Sequence, residues 1–120
     1  MLKQLAKSFS YALHGLTLAF KQEQNFRIQI ILGILVVASA LYLPLRGWEL
    51  VVTIALTMAV LVMELLNTAV EHFIDLLKPR LHHYVLIIKD LMAGAVLLTS
   101  LGALIIGLIV FYPHLVNLLK

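Results

Sequence analysis

Residues 50–75 read LVVTIALTMAVLVMELLNTAVEHFID, and the fold turns on where a bilayer would end within that string. Leu50 to Met63 carries no charge but has only 14 residues, short of the ~20 that a helix needs to cross a hydrocarbon core ~30 Å thick. A span here has to include Glu64 and run on towards Glu71, which puts carboxylates in or just inside the membrane interface. At 3.6 residues per turn, offsets of seven and eleven return to within about 20° of the starting direction. Glu64, Asn67, Glu71 and Asp75 therefore share one helical face, and Leu65, Leu66, Val70, Phe73 and Ile74 occupy the rest.

Composition agrees with a span. The 120 residues are 62% hydrophobic and 12% charged, with a mean hydropathy of +1.04, whereas soluble domains are roughly 45–50% apolar. An integral membrane protein of one small domain is expected, with three spans using most of the length. Cysteine is absent, which excludes disulfides, thiol catalysis and thiolate metal sites.

Upstream, residues 1–26 carry Leu2, Leu5, Phe9, Leu13, Leu16 and Phe20 at three- and four-residue spacing, with Lys3, Gln4, Lys7, Ser8, His14 and Lys21 between them. This pattern predicts an amphipathic helix lying at the membrane surface. Ile28 to Leu45 has no charge and predicts the first span, over 28–45, closed by Pro44, Arg46 and Gly47, with Tyr42 and Trp48 at headgroup depth. The second span is expected over 50–75. Lys78-Pro79-Arg80-Leu81-His82-His83 predicts its stop and a polar loop. The third span is expected over 90–118. On it Ala95, Thr99, Ala103 and Gly107 recur every four residues and form a face suited to close helix packing.

Basic residues set the orientation. Lys3, Lys7, Lys21 and Arg27 precede the first span, and Lys78, Arg80 and Lys89 lie between the second and third; only Arg46 and Lys120 fall on the other side. That asymmetry predicts a cytoplasmic N-terminus and second loop and an external C-terminus. Glu23, Glu64, Glu71, Asp75 and Asp90 share the cytoplasmic side, and Glu49 does not.

Ionisable groups at membrane depth are candidates for function. Three readings fit the acidic stripe: a solvated helix end, with Glu64 and Asn67 bonded to neighbouring helices; a proton or cation relay; and a phosphoryl-transfer site holding a divalent metal. The relay is weakened by the clustering of the acids near one membrane face. For the third, Mg²⁺ favours one or two carboxylates together with substrate phosphates, which Glu71 and Glu23 could supply. Glu64, deeper, would take a proton from a hydroxyl at the headgroup boundary. Lys89 and Asp90 add a cation for phosphate and an acid to orient it. Neither a GxxxxGK[ST] loop nor a GxGxxG element is present.

The stretch Glu64-Leu-Leu-Asn67-Thr-Ala-Val-Glu71-His-Phe-Ile-Asp75 resembles the E-x-x-N-[ST]-[SA]-x-E-x-x-x-D signature of the prokaryotic diacylglycerol kinase family, small membrane lipid kinases that include undecaprenol kinases. The resemblance extends to Phe9-Ser10-Tyr11-Ala12 and Gly15, to Glu23-Gln-Asn25-Phe26-Arg27, to His82, and to Lys89-Asp90 followed by Ala93-Gly94-Ala95-Val96. It implies an all-α membrane lipid kinase, a single domain over 1–120, assembled as a homotrimer in the bacterial cytoplasmic membrane. Its reaction would move the γ-phosphoryl of ATP, with Mg²⁺, to a lipid hydroxyl.

By the same resemblance Glu64 is the catalytic base, with Asn67 and Asp75 supporting it, and Glu23 and Glu71 bind metal and nucleotide phosphates. Tyr11, His82, Lys89 and Asp90 fall at nucleotide positions, and Asn25, Arg27 and Gln29 at the lipid entrance. Undecaprenol is the expected acceptor, from Asn25-Phe26-Arg27, Pro79 and the Ala-Gly-Ala-Val run. Diacylglycerol is the alternative, and a non-enzymatic membrane protein or ion conductor the alternative of another class. No nucleic-acid partner is expected. Arg80 and Leu81 depart from the family, which often has an acid and a tyrosine there; guanidinium has donors only, so nucleotide selectivity is the property this departure touches.

Overall fold

The computed structural model describes residues 1–77, 80 and 82–120. Among the described residues four helices follow in order: α1, Leu2–Gln22; α2, Gln24–Tyr42; α3, Gly47–Asp75; and α4, His82–Leu119. The last three are long and apolar enough to cross a membrane. The expected helix stop at Lys78 and Pro79, and the departure at Leu81, lie outside the described residues.

The first boundary differs from expectation. The surface helix was expected to reach residue 26, but α1 ends at Gln22 and Gln24 already begins α2. Glu23 alone is extended, at φ −109° and ψ 110°, and is both the C-cap of α1 and the N-cap of α2. Helix ends leave carbonyls without intrahelical partners, and Arg27, one turn into α2, reaches back to satisfy two of them. Its Nη1 donates to Phe20 O at 2.8 Å and Lys21 O at 3.0 Å. No proline or glycine is needed at this corner because the side chain four residues later closes it.

α2 ends where local sterics require. A residue before proline is pushed to extended backbone, and Leu43, before Pro44, has φ −75° and ψ 152°. Arg46 caps α3, and Glu49 Oε1 accepts the Arg46 backbone N–H at 2.8 Å, the return half of a capping box. At the other end Leu76 N–H donates to Phe73 O and Leu77 N–H to Ile74 O, the tighter bonding common in a last turn.

The last helix also begins within the segment expected to be a loop. The sequence predicts a polar loop at His82 and His83 and a span over 90–118; the helix that carries that span, α4, begins at His82 and has 38 residues, about 57 Å at 1.5 Å per residue. Polar side chains do not by themselves end a helix, and Val85, completely buried, anchors its first turn.

In lipid, apolar surface alone does not drive helices together; close packing of small residues and polar contacts do. α2 accordingly buries Phe26, Gly33 and Ala40 at intervals of seven and lays that face on α3. A Cβ at Gly33 would lie 2.8 Å from Thr57 Cγ2, so only glycine permits this approach. Helix hydroxyls are satisfied locally: Thr53, Thr57, Thr68 and Thr99 each donate to the carbonyl four residues earlier.

α3 is the centre of the molecule. It packs against each of the other three helices, and α2 and α4 pack on it without packing on each other. Two clefts open between them over the α3 floor. On the small-residue face of α4, Ala95 and Thr99 are half-buried, and Ala103 and Gly107 line one of these clefts.

Candidate active site

The polar cleft has a volume of about 680 Å³ and lies at the end of the bundle where α2 and α4 begin and α3 finishes. α3 contributes Glu64, Asn67 and Glu71 from successive turns, with Val70 and the buried Ile74 beside them. α2 contributes Asn25 and Gln29 from its first two turns, and α4 contributes Lys89, Asp90, Ala93, Val96 and Ser100. Seven of the polar residues singled out from the sequence are thus walls of one cavity: Asn25, Gln29, Glu64, Asn67, Glu71, Lys89 and Asp90.

Within it the acids differ in setting. Glu64 retains 8% exposure, and its backbone carbonyl accepts the Thr68 hydroxyl at 3.0 Å. Glu71, two turns nearer the helix end, is exposed. Asn67 stands between them and donates its side-chain amide to Glu71 Oε1 at 3.2 Å, which leaves the second Glu71 oxygen available to a ligand. Glu23, half-buried at the α1–α2 corner, and Glu71 are both close enough for their charges to act on Glu64. Among the described residues no three histidine or acidic side chains converge tightly enough to cage a metal on their own.

Other expected site residues stand apart. Tyr11 is exposed on α1, and His82 is exposed at the start of α4. Asp75, the last residue of α3, is exposed and takes no part in lining the cavity. The Arg27 guanidinium points towards the carbonyls that end α1.

Two features went unread in the sequence. Ser100 completes the α4 wall eleven residues beyond Lys89, a spacing that returns to the same helical face. It also lines, with Gln29, the second cleft. That one is apolar, about 630 Å³, and extends over α3 between α2 and α4 as far as Leu43 and Leu115. The second feature is a contact between Glu49 and His114, 3.0 Å apart at the opposite end of the bundle. Nothing local joins two residues so distant in sequence, although each closes a span on the same side.

Comparison with known proteins gives this arrangement its context. The family model for prokaryotic diacylglycerol kinase matches residues 10–111. A diacylglycerol kinase from Synechocystis sp. is 38% identical over 116 residues, covering 96% of this chain and 66% of that protein. An undecaprenol kinase from Bacillus subtilis is 32% identical over 114 residues, 95% of this chain and 93% of that one. A diacylglycerol kinase from Escherichia coli is 29% identical over 111 residues, 92% and 91% of the two chains. This chain therefore spans about two thirds of the Synechocystis relative and more than nine tenths of the other two. With the matched segment running from the middle of α1 to the last turns of α4, and Glu64, Asn67 and Glu71 of the signature lining one cleft, the chain belongs to the prokaryotic diacylglycerol kinase family.

Proposed function

We propose that the protein is a multi-pass lipid kinase of the bacterial cytoplasmic membrane that transfers the γ-phosphoryl of ATP to a membrane lipid hydroxyl. One observation carries the reading: Gln29 and Ser100 line both the acidic cleft and the apolar groove. A lipid can lie with its chain in the groove and its hydroxyl among the carboxylates, without leaving the membrane.

Glu64 is placed for the acid–base step. It accepts the hydroxyl proton as the lipid oxygen bonds to the γ-phosphorus and the bond to the bridging oxygen of ADP breaks. Positioning and electrostatics supply most of the acceleration in phosphoryl transfer. Lys89 brings positive charge to the phosphates, Asp90 orients it, and Asn67 holds Glu71. Glu71 and Glu23 would hold Mg²⁺, which favours hard carboxylate oxygens together with substrate phosphates. When bound, the ion neutralises charge on the β- and γ-phosphates. Tyr11 and His82 are nucleotide-side residues, Asp75 supports the base, and Asn25, Arg27 and Gln29 mark the lipid entrance.

Undecaprenol is the acceptor we favour, since a single groove suits an alcohol with one long chain. The identity to the Synechocystis diacylglycerol kinase supports the second reading, diacylglycerol. α1 lies along the cytoplasmic surface, and residues 1–22 and the cleft face ATP. We take assembly as a homotrimer from the family resemblance; the exposed α3 stripe through Ala55 and Ala69, whose small side chains permit close backbone approach in lipid, is the face on which copies would meet.

The test is membranes containing the protein, given labelled ATP and Mg²⁺ with either lipid alone. Label in undecaprenol is expected. Label in diacylglycerol only would reverse the substrate assignment, and label in neither would overturn the kinase reading.

A further inference from the structure

At the end of the bundle away from Glu64, Glu49 Oε1 accepts two hydrogen bonds, from the Arg46 backbone N–H at 2.8 Å and from His114 Nε2 at 3.0 Å. Glu49 is buried to 8% exposure and His114 is half-buried. The first bond fixes the carboxylate to the start of α3; the second carries it across to α4. The contact spans 65 residues of sequence.

Two neighbours give this contact its significance. Pro113 lies inside α4 and has no N–H to give the carbonyl four residues back, which makes the preceding turn the weak point of the helix. His114 is the next residue, so the bond to Glu49 pins α4 just past that weak point. The apolar groove ends at the same level. Phe111 and Leu115 line it on either side of His114, and Thr53, which lines it from α3, donates its hydroxyl to Glu49 O at 2.8 Å. Since α2 and α4 do not pack on each other, the groove's outer half is only as well defined as the seating of α4 on α3.

We propose that Glu49 and His114 form a latch that holds the end of α4 on α3 and so fixes the outer half of the groove, making the pair positioning residues for chain-length selectivity. This rests on the lipid-kinase reading. Glu49 is fifteen residues before Glu64, about 22 Å along the helix axis, so only chains long enough to run most of the ~30 Å hydrocarbon core meet the latched region. A short lipid, seated at the Gln29 end, does not.

The experiment measures KM for the lipid, KM for ATP and kcat in mixed micelles. Undecaprenol and dierucoylglycerol serve as long acceptors, farnesol and dihexanoylglycerol as short ones. His114→Ala and Glu49→Ala are expected to raise KM for the long acceptors about five- to tenfold, the scale of one interhelical hydrogen bond in a membrane, and to leave KM for the short acceptors, KM for ATP and kcat unchanged. Glu49→Gln, whose amide oxygen still accepts, is expected to restore the native profile. His114→Phe keeps the ring's bulk without the donor and should reproduce the long-chain defect even if an alanine variant does not fold. Equal changes for long and short acceptors, or a native profile in His114→Phe, would overturn the latch. A native protein that phosphorylates none of the four would instead overturn the lipid-kinase reading beneath it.

Discussion

Asn67 donates its side-chain amide to Glu71 Oε1 across one turn of α3, at 3.2 Å. The bond orients a carboxylate that would otherwise sample several rotamers on an exposed helix end. A single bond of this kind is worth about 1 kcal/mol, so Asn67→Ala is expected to lower activity about fivefold and to raise the Mg²⁺ concentration needed for half-maximal rate. Asn67→Asp, which sets a negative charge beside Glu71, should lower it further. A Mg²⁺ titration of the three proteins checks both statements.

Glu64→Gln keeps the size of the side chain and removes its capacity to take a proton. General bases contribute ~10²–10⁴-fold, and a loss of that order in lipid phosphorylation is expected while ATP binding is retained. Full lipid phosphorylation by this variant in detergent would remove Glu64 from the role of base.

Gly33→Ala introduces a methyl group 2.8 Å from Thr57 Cγ2, which forces α2 and α3 apart. Overpacking of this kind costs about 1–3 kcal/mol. A lower unfolding temperature in detergent is expected, with recovery in the double variant Gly33→Ala/Thr57→Ser, where the opposing methyl is gone but the hydroxyl to Thr53 O remains. Additive losses in the double variant would show that the two side chains do not meet.

Arg27→Gln removes the guanidinium that caps Phe20 O and Lys21 O. Faster amide hydrogen exchange over residues 19–27 is the expected result, with α2 beyond that turn unaffected. Unchanged exchange would mean that the corner does not depend on this side chain.

The natural absence of cysteine makes topology directly measurable. Single cysteines at Ser8 and Asn117 are expected to react with a membrane-impermeant maleimide from opposite sides, Ser8→Cys only after the cytoplasmic face is exposed. Labelling of both from the same side would contradict the orientation drawn from the lysines and arginines.

Much of the site was legible because its residues are local. Glu64, Asn67 and Glu71 share a helix, and helical periodicity is enough to put them on one face. Lys89, Asp90, Asn25 and Gln29 sit within the first three turns of the neighbouring helices, which three short-looped spans must bring to the same end. The boundaries were less legible. The α1–α2 break has no proline or glycine, since Arg27 supplies the cap, and the polar character of His82, His83, Lys89 and Asp90 resembles a loop although Val85 draws the segment into the bundle. The contact between Glu49 and His114 and the groove between α2 and α4 were invisible for a different reason. Both exist only after α2 and α4 have seated independently on α3, and no spacing within one helix encodes that.

The corner at Glu23 gives the two acids near Glu64 unequal mechanical mounts. Glu71 rides on the hydrogen-bonded body of α3, with Asn67 bracing its side chain. Glu23 occupies the one extended residue between α1 and α2, and what holds that residue in place is the Arg27 side chain reaching back to Phe20 O and Lys21 O. One acid is braced from within its own helix, the other from across a corner whose far side is a helix with nearly all of its residues exposed.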